Sequence, residues 1–278
     1  MFRTAAPTLH VPDHLARLVA WARSVPVTPA VARRVLPLID ATSLNDDDDD
    51  WSIEAFCRHA LAAPVRPAAV VVEPRFVRLA RRVVEGSGVR VATVVNFPEG
   101  EANAMVAREE TRAAVGDGAD EIDVVFPYSA FLAGDRAAGP AVVAACRAEC
   151  GDGVPLKVIL ETGAFRDADR LAEAGKLALQ EGADFLKTST GKTRFGATPE
   201  AAAVLLQAVR SHRLYGGRRG GLKASGGIRT LAQATPYVAL AEGLMGRGWA
   251  TPHTVRVGSS ALLDDAAAAL AGAPDRGD

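Results

Sequence analysis

Of the 32 basic residues in this 278-residue chain, only five are lysines: Lys157, Lys176, Lys187, Lys192 and Lys223. A chain that uses arginine wherever a surface cation will serve keeps a lysine for what guanidinium cannot do. An amine can lose its proton near neutral pH and add to a carbonyl, whereas guanidinium stays charged. Two segments with a shared opening narrow the choice: Gly118-Ala119-Asp120-Glu121-Ile122-Asp123 and Gly182-Ala183-Asp184-Phe185-Leu186-Lys187. Asp123 and Lys187 stand at the same offset in their segments, and Lys223 lies in a later run of similar character. Two amines facing one carboxylate suit a Schiff-base centre. A neighbouring cation and a partly dry pocket lower the nucleophile's pKa, and the protonated imine is an electron sink beside which a carbon–carbon bond breaks or forms. Asp123 then relays protons, through water. The competing reading is a structural Lys–Asp–Lys network. It leaves two cations for one anion and buries charge without use.

These residues need elements that aim them at one another. Eight β-rich apolar runs recur about every 30 residues, the length of a strand plus a crossover helix. They are Val35–Asp40, Ala68–Val72, Val89–Val95, Glu121–Val125, Leu156–Leu160, Phe185–Thr188, Gly221–Ala224 and Val255–Gly258. The intervening helices have readable ends: Pro74 opens one and Thr198-Pro199-Glu200 another, while Gly118 and Gly182 follow the last turns of two more. Eight βα units in a chain of this length predict a closed (β/α)8 (TIM) barrel, with a doubly wound open sheet as the competitor. An amphipathic stretch from Val11 to Val25 adds an N-terminal helix. The expected organisation is a helical extension over 1–34, the barrel over 35–271, and a small polar, disordered tail over 272–278.

In this architecture catalytic groups sit at the C-terminal ends of strands. The polar residues there are Asp40, Asn96, Asp123, Lys157, Lys187 and Lys223. Alternate strands share side-chain layers, so Asp123 and Lys187 are expected to face each other, with Lys223 on the neighbouring strand. Gly226-Gly227 and Gly258-Ser259-Ser260 close the seventh and eighth runs, where barrels commonly hold phosphate, although tight turns also use such glycines. Ser189-Thr190-Gly191-Lys192-Thr193 mimics a nucleotide-binding loop but carries Leu186 where that motif needs glycine. Lys192 is better read as a cation near a substrate phosphate or near the nucleophile.

Other classes are disfavoured. A net charge of -1 without a basic stripe argues against nucleic acid, and no apolar run approaches a membrane span. No secretory signal is read, and the three cysteines (Cys57, Cys146 and Cys150) suit a reducing cytoplasm, with Cys146 and Cys150 read as packed thiols on one helical face. All five histidines lie away from the strand ends, so a metal-dependent aldolase lacks ligands and no metal or cofactor is expected. The acidic run Asp46–Asp50 reads as a solvated loop that places carboxylates at a helix start.

With these residues assembled, the chain resembles deoxyribose-phosphate aldolases. The matching stretches are IDATSLNDDD from Ile39, VATVVNFPEG from Val91, GADEIDVVFPYSAFLAGD from Gly118, LKVILETG from Leu156, GADFLKTSTGK from Gly182, GLKASGGIRT from Gly221 and RVGSSALL from Arg256. They run from Ile39 to Leu263, nearly the whole barrel. The resemblance implies reversible cleavage of 2-deoxy-D-ribose 5-phosphate to acetaldehyde and D-glyceraldehyde 3-phosphate, without cofactor. It places the imine lysine at Lys187, the proton-relay aspartate at Asp123 and the second active-site lysine at Lys223. It sets Asp40 and Thr42 near the sugar hydroxyls, Gly191, Gly226, Gly227, Gly258 and Ser260 at the phosphate end, and Lys157 and Lys192 around the centre.

There are departures. Val71 stands where some members carry a cysteine, Ala261 where some carry a second phosphate-side serine, and Asp278 where some end in tyrosine. Thiol inactivation at Val71 and tail-assisted proton transfer are therefore not expected. The alternatives are another Schiff-base sugar-phosphate aldolase, or a silent barrel that binds a sugar phosphate. Partners are expected to be the small-molecule sugar phosphate and aldehyde, with a homodimer possible and a cytoplasmic setting.

Overall fold

The computed structural model describes residues 9–217 and 220–271. Eight parallel strands close in sequence order: β1 (Ile39–Thr42), β2 (Ala69–Val72), β3 (Arg90–Val95), β4 (Glu121–Val125), β5 (Leu156–Ile159), β6 (Phe185–Lys187), β7 (Gly221–Ser225) and β8 (Val255–Ser259). Around them run α1 (Asp13–Ser24), α2 (Pro29–Val35), α3 (Asp50–Ala62), α4 (Val77–Val84), α5 (Ala104–Gly116), α6 (Tyr128–Leu132), α7 (Ala138–Cys150), α8 (Ala168–Gln180), α9 (Pro199–Leu214), α10 (Leu231–Met245) and α11 (Leu262–Ala271). The expected (β/α)8 barrel is the fold. The tail expected over 272–278 lies outside the described residues.

Local sequence explains the element ends. Thr28, Asn103, Asp167 and Thr198 each cap a helix by accepting a hydrogen bond from its first turn, and Asp49 and Thr230 build reciprocal capping boxes with Ser52 and Gln233. Within the acidic run, Asp48 therefore orders the loop through Ser43 and Asn45, Asp49 caps α3, and Asp50 sits in its first turn. Gly118 and Gly182, at φ 100° and 96°, turn the chain from α5 into β4 and from α8 into β6.

One expectation changes. The first strand begins at Ile39, because Val35 ends α2 and Leu36–Leu38 form a 3-10 turn. Val35, Leu36 and Leu38 are apolar and buried, so apolar character alone does not separate helix from strand there. The expected N-terminal helix is α1, packed on α9 and α10, and a second helix, α2, follows it and packs on α10 and α11. The outer faces of the strands meet the helices in one large core.

The barrel interior is divided. On the β2–β3 side it is apolar, with Ala69, Val71, Ala92 and Val94 packed under Leu44 and Phe97. From β4 round to β1 it carries buried charge: Glu121, Asp123, Lys157, Lys187, Lys223, Arg256 and Asp40. Strand register sets Asp123 beside Lys157, Lys187 beside Lys223, and Lys223 beside Arg256.

Candidate active site

At the C-terminal ends of the strands a cavity of about 310 Å³ opens between the β1, β6, β7 and β8 loops. Lys187 and Lys223 form its floor, and its wall includes Thr42, Gly191, Lys192, Gly226, Gly227, Gly258 and Ser260. Asp123 lies just beneath, fully buried. Its Oδ2 accepts from Lys187 Nζ at 2.8 Å and from Lys223 Nζ at 2.7 Å, while Oδ1 accepts from Lys157 Nζ at 2.6 Å.

These contacts pull the lysines in different directions. Burial, opposed by Asp123 and reinforced by the Lys223 charge, brings the Lys187 amine down to about 8. Lys157 is buried as deeply, but Asp123, Glu121 and Asp40 outweigh the burial and hold its pKa above the ordinary lysine value. Asp123 is also desolvated, yet three ammonium neighbours keep it well below the usual carboxylate range. The arrangement therefore sets an amine brought close to neutral pH on the cavity floor, above a buried carboxylate and a more basic buried lysine.

The charge sum differs from the expected two cations and one anion. Asp40, Glu121 and Asp123 face Lys157, Lys187, Lys223 and Arg256. Glu121 and Arg256 were missed as site residues, although both carry a readable signal. Glu121 is two residues before Asp123 in the same strand, hence on the same face, and Arg256 is the single charge in an otherwise apolar or small run.

Other candidate residues divide between the cavity and its supports. Asp40 is fully buried, paired with Arg256 and lying 2.6 Å from Lys223, so it braces the floor from below. Thr42 reaches the cavity and donates to the Asp40 carbonyl. Asn96 does not reach the cavity wall. At φ 54° it clamps the β3 loop, donating to the Glu101 and Val125 carbonyls and accepting from the Glu101 amide. Lys192 sits at the mouth, 3.0 Å from Asp46 Oδ1. Ser260 is exposed on the wall, whereas Ser259 caps α11, accepting from the Ala261 and Leu262 amides.

The loop after β6 has a support that the sequence reading did not single out. Glu161 is buried at φ 50° and accepts from the Thr190 amide, the Thr190 hydroxyl and the Thr193 hydroxyl. It thereby holds the turn that carries Gly191 and Lys192. A side chain at Gly196 would strike the Gly226 carbonyl at 2.2 Å, so glycine is needed where this turn meets the β7 loop.

The DeoC/LacD family aldolases match residues 34–250, which run from the end of α2 through β1 to β7 and hold Asp40, Asp123, Lys157, Lys187 and Lys223.

The chain belongs to the DeoC/LacD aldolase family.

Among relatives, it is 45% identical over 242 residues to the deoxyribose-phosphate aldolase of Agrobacterium fabrum, covering 87% of this chain and 92% of that one. It superposes with a TM-score of 0.80 on a Toxoplasma gondii ME49 protein assigned as a deoxyribose-phosphate aldolase, at 27% identity, covering 88% of this chain and 98% of the other. A tetrameric deoxyribose phosphate aldolase from Aeropyrum pernix shares the fold, with a TM-score of 0.70 at 24% identity over 92% and 98% of the two chains. This DeoC/LacD aldolase is accordingly a lyase on a TIM barrel. Among the described residues no helix is long and apolar enough to cross a membrane, and no three His, Cys, Asp or Glu side chains cluster as a metal site.

Proposed function

We propose that this aldolase reversibly cleaves 2-deoxy-D-ribose 5-phosphate to acetaldehyde and D-glyceraldehyde 3-phosphate through a Schiff base on Lys187. The observation that carries the reading is the position of the Lys187 amine. It lies on the cavity floor, brought down to about 8, and shares Asp123 Oδ2 with Lys223.

The neutral amine adds to C1 of the open-chain sugar, giving a carbinolamine. Its hydroxyl leaves as water, with a proton supplied along the Lys223–Asp123 contact. The resulting iminium draws electrons from the C2–C3 bond as the C3 hydroxyl gives up its proton to water held by Asp123. Glyceraldehyde 3-phosphate departs, and C2 remains as an enamine. Protonation at C2 and addition of water to the iminium then release acetaldehyde and restore the amine.

The phosphate end is read at Gly191, Gly226, Gly227, Gly258, Ser260 and Lys192, on the wall built by the loops after β6, β7 and β8. Thr42, on the cavity wall, is assigned to a sugar hydroxyl. Lys157 serves as a fixed charge on Asp123, and Asp40 as a fixed charge under Lys223. A cytoplasmic setting, in keeping with three free cysteines, and a homodimer complete the proposal.

The test is product analysis. Purified protein given 2-deoxy-D-ribose 5-phosphate should release acetaldehyde and glyceraldehyde 3-phosphate in equal amounts. In the reverse direction, acetaldehyde should be accepted as donor and dihydroxyacetone should not. Turnover with dihydroxyacetone alone would assign a different Schiff-base aldolase. Binding of the sugar phosphate without turnover would assign a silent barrel.

A further inference from the structure

The Lys187 amine hangs from a larger ionic ring. Starting at Asp123 Oδ1, Lys157 Nζ lies at 2.6 Å and also 2.8 Å from Glu121 Oε2. Glu121 Oε1 accepts from Arg256 Nη2 at 2.7 Å, and Arg256 Nη1 reaches Asp40 Oδ1 at 2.6 Å. Asp40 Oδ2 is 2.6 Å from Lys223 Nζ, which returns to Asp123 Oδ2 at 2.7 Å. Each ring cation touches two or more carboxylates, whereas Lys187 touches Asp123 alone.

The arithmetic of the ring is specific. Asp40, Glu121 and Asp123 balance Lys157, Lys223 and Arg256, and Lys187 is left over. Arg256 suits its post because a planar fork can hold two carboxylates at once and cannot lose its proton. It is buried, with its guanidinium 5.7 Å from the Phe185 ring centroid. Gly221 makes space for that ring, since a Cβ there would meet Phe185 Cε1 at 2.5 Å.

We propose that Glu121 and Arg256 are positioning residues that govern the charge of the nucleophile from below. They complete a ring of three carboxylates and three basic side chains, so that no carboxylate is left over for a Lys187 ammonium. The inference rests on Lys187 being the reactive amine. The other charges around it are Arg90 on β3, 3.4 Å from Glu121, and Lys192, Asp46 and Arg229 at the cavity wall and mouth.

Opposite signs follow for the two residues. Removing the Glu121 charge leaves the site more positive, so a proton on Lys187 is less welcome and the neutral amine appears at lower pH. Removing the Arg256 charge leaves a carboxylate in surplus, so Lys187 keeps its proton to higher pH. A unit charge about 10 Å away, at an effective dielectric of about 20, moves a midpoint by about one pH unit.

The experiment measures the rate of covalent trapping by acetaldehyde and cyanoborohydride across a pH series. Glu121→Gln should move the midpoint down by about one unit and Arg256→Met up by about one unit, with the double variant back near the parent. Arg256→Lys, which keeps the charge, should hold the parent midpoint. If Arg256→Met does not fold, Glu121→Gln and Arg256→Lys still carry the sign. Shifts of the same sign, or an unmoved midpoint in Glu121→Gln, would overturn the inference while leaving the Lys187 reading intact. A parent protein that is not trapped at all would overturn both.

Discussion

Gly258 on β8 and Lys223 on β7 approach so closely that a methyl group at Gly258 would lie 3.1 Å from Lys223 Cε and 3.0 Å from Ser225 Cβ. Glycine at this point is therefore a spacer that lets the Lys223 side chain reach both Asp123 and Asp40.

Gly258→Ala should displace Lys223 by a few tenths of an ångström. Overpacking of this kind costs about 1 kcal/mol of stability. Misplacement in a proton-transfer chain costs more in rate, and kcat is expected to fall by about tenfold. Steady-state kinetics beside a thermal melt separates the two effects. A normal kcat in a destabilised protein would show that Lys223 tolerates the shift.

Lys223→Leu tests the coupling of the two amines. Lys223 is among the charges that lower Lys187 to about 8, so removing it should raise the Lys187 pKa. The sign follows directly: the neutral amine fraction at a given pH falls, and the acid limb of the trapping rate moves to higher pH. An acid limb that stays in place would mean that burial alone sets the amine.

The phosphate reading predicts a split between substrates. Lys192→Met, and Glu161→Ala acting through Thr190 and Thr193, should each raise KM for 2-deoxy-D-ribose 5-phosphate by about tenfold, the size of one charge-assisted contact. Neither should change kcat/KM for unphosphorylated 2-deoxy-D-ribose. Equal losses on both sugars would place these residues in the general fold of the loop.

Much of this was legible from residue type and period. Asp123, Lys187 and Lys223 could be placed together because equivalent offsets in βα units put side chains in shared layers, and the structure joins all three at one oxygen. Glu121 was legible too, by the two-residue period from Asp123, but its partner Arg256 lies four strands away in the chain, and the closing of the ring is a property of the barrel alone. Asn96 shows the limit from the other side. A polar residue at a strand end satisfies a search for site residues, yet its amide is consumed by the turn it stabilises, which only the local backbone reveals. The start of β1 differs for a similar reason, since Val35, Leu36 and Leu38 are buried apolar residues whether the backbone is helix, turn or strand.

The proposed reaction turns on an imine formed by the Lys187 amine. The direct measurement is the mass of the protein after acetaldehyde and borohydride, with the modified peptide mapped. The expected result is a single N-ethyl group on Lys187, and none on a folded Lys187→Arg variant, which keeps the positive charge but has no amine to offer. An adduct on Lys157, Lys192 or Lys223 instead, or an adduct that persists in Lys187→Arg, would contradict it.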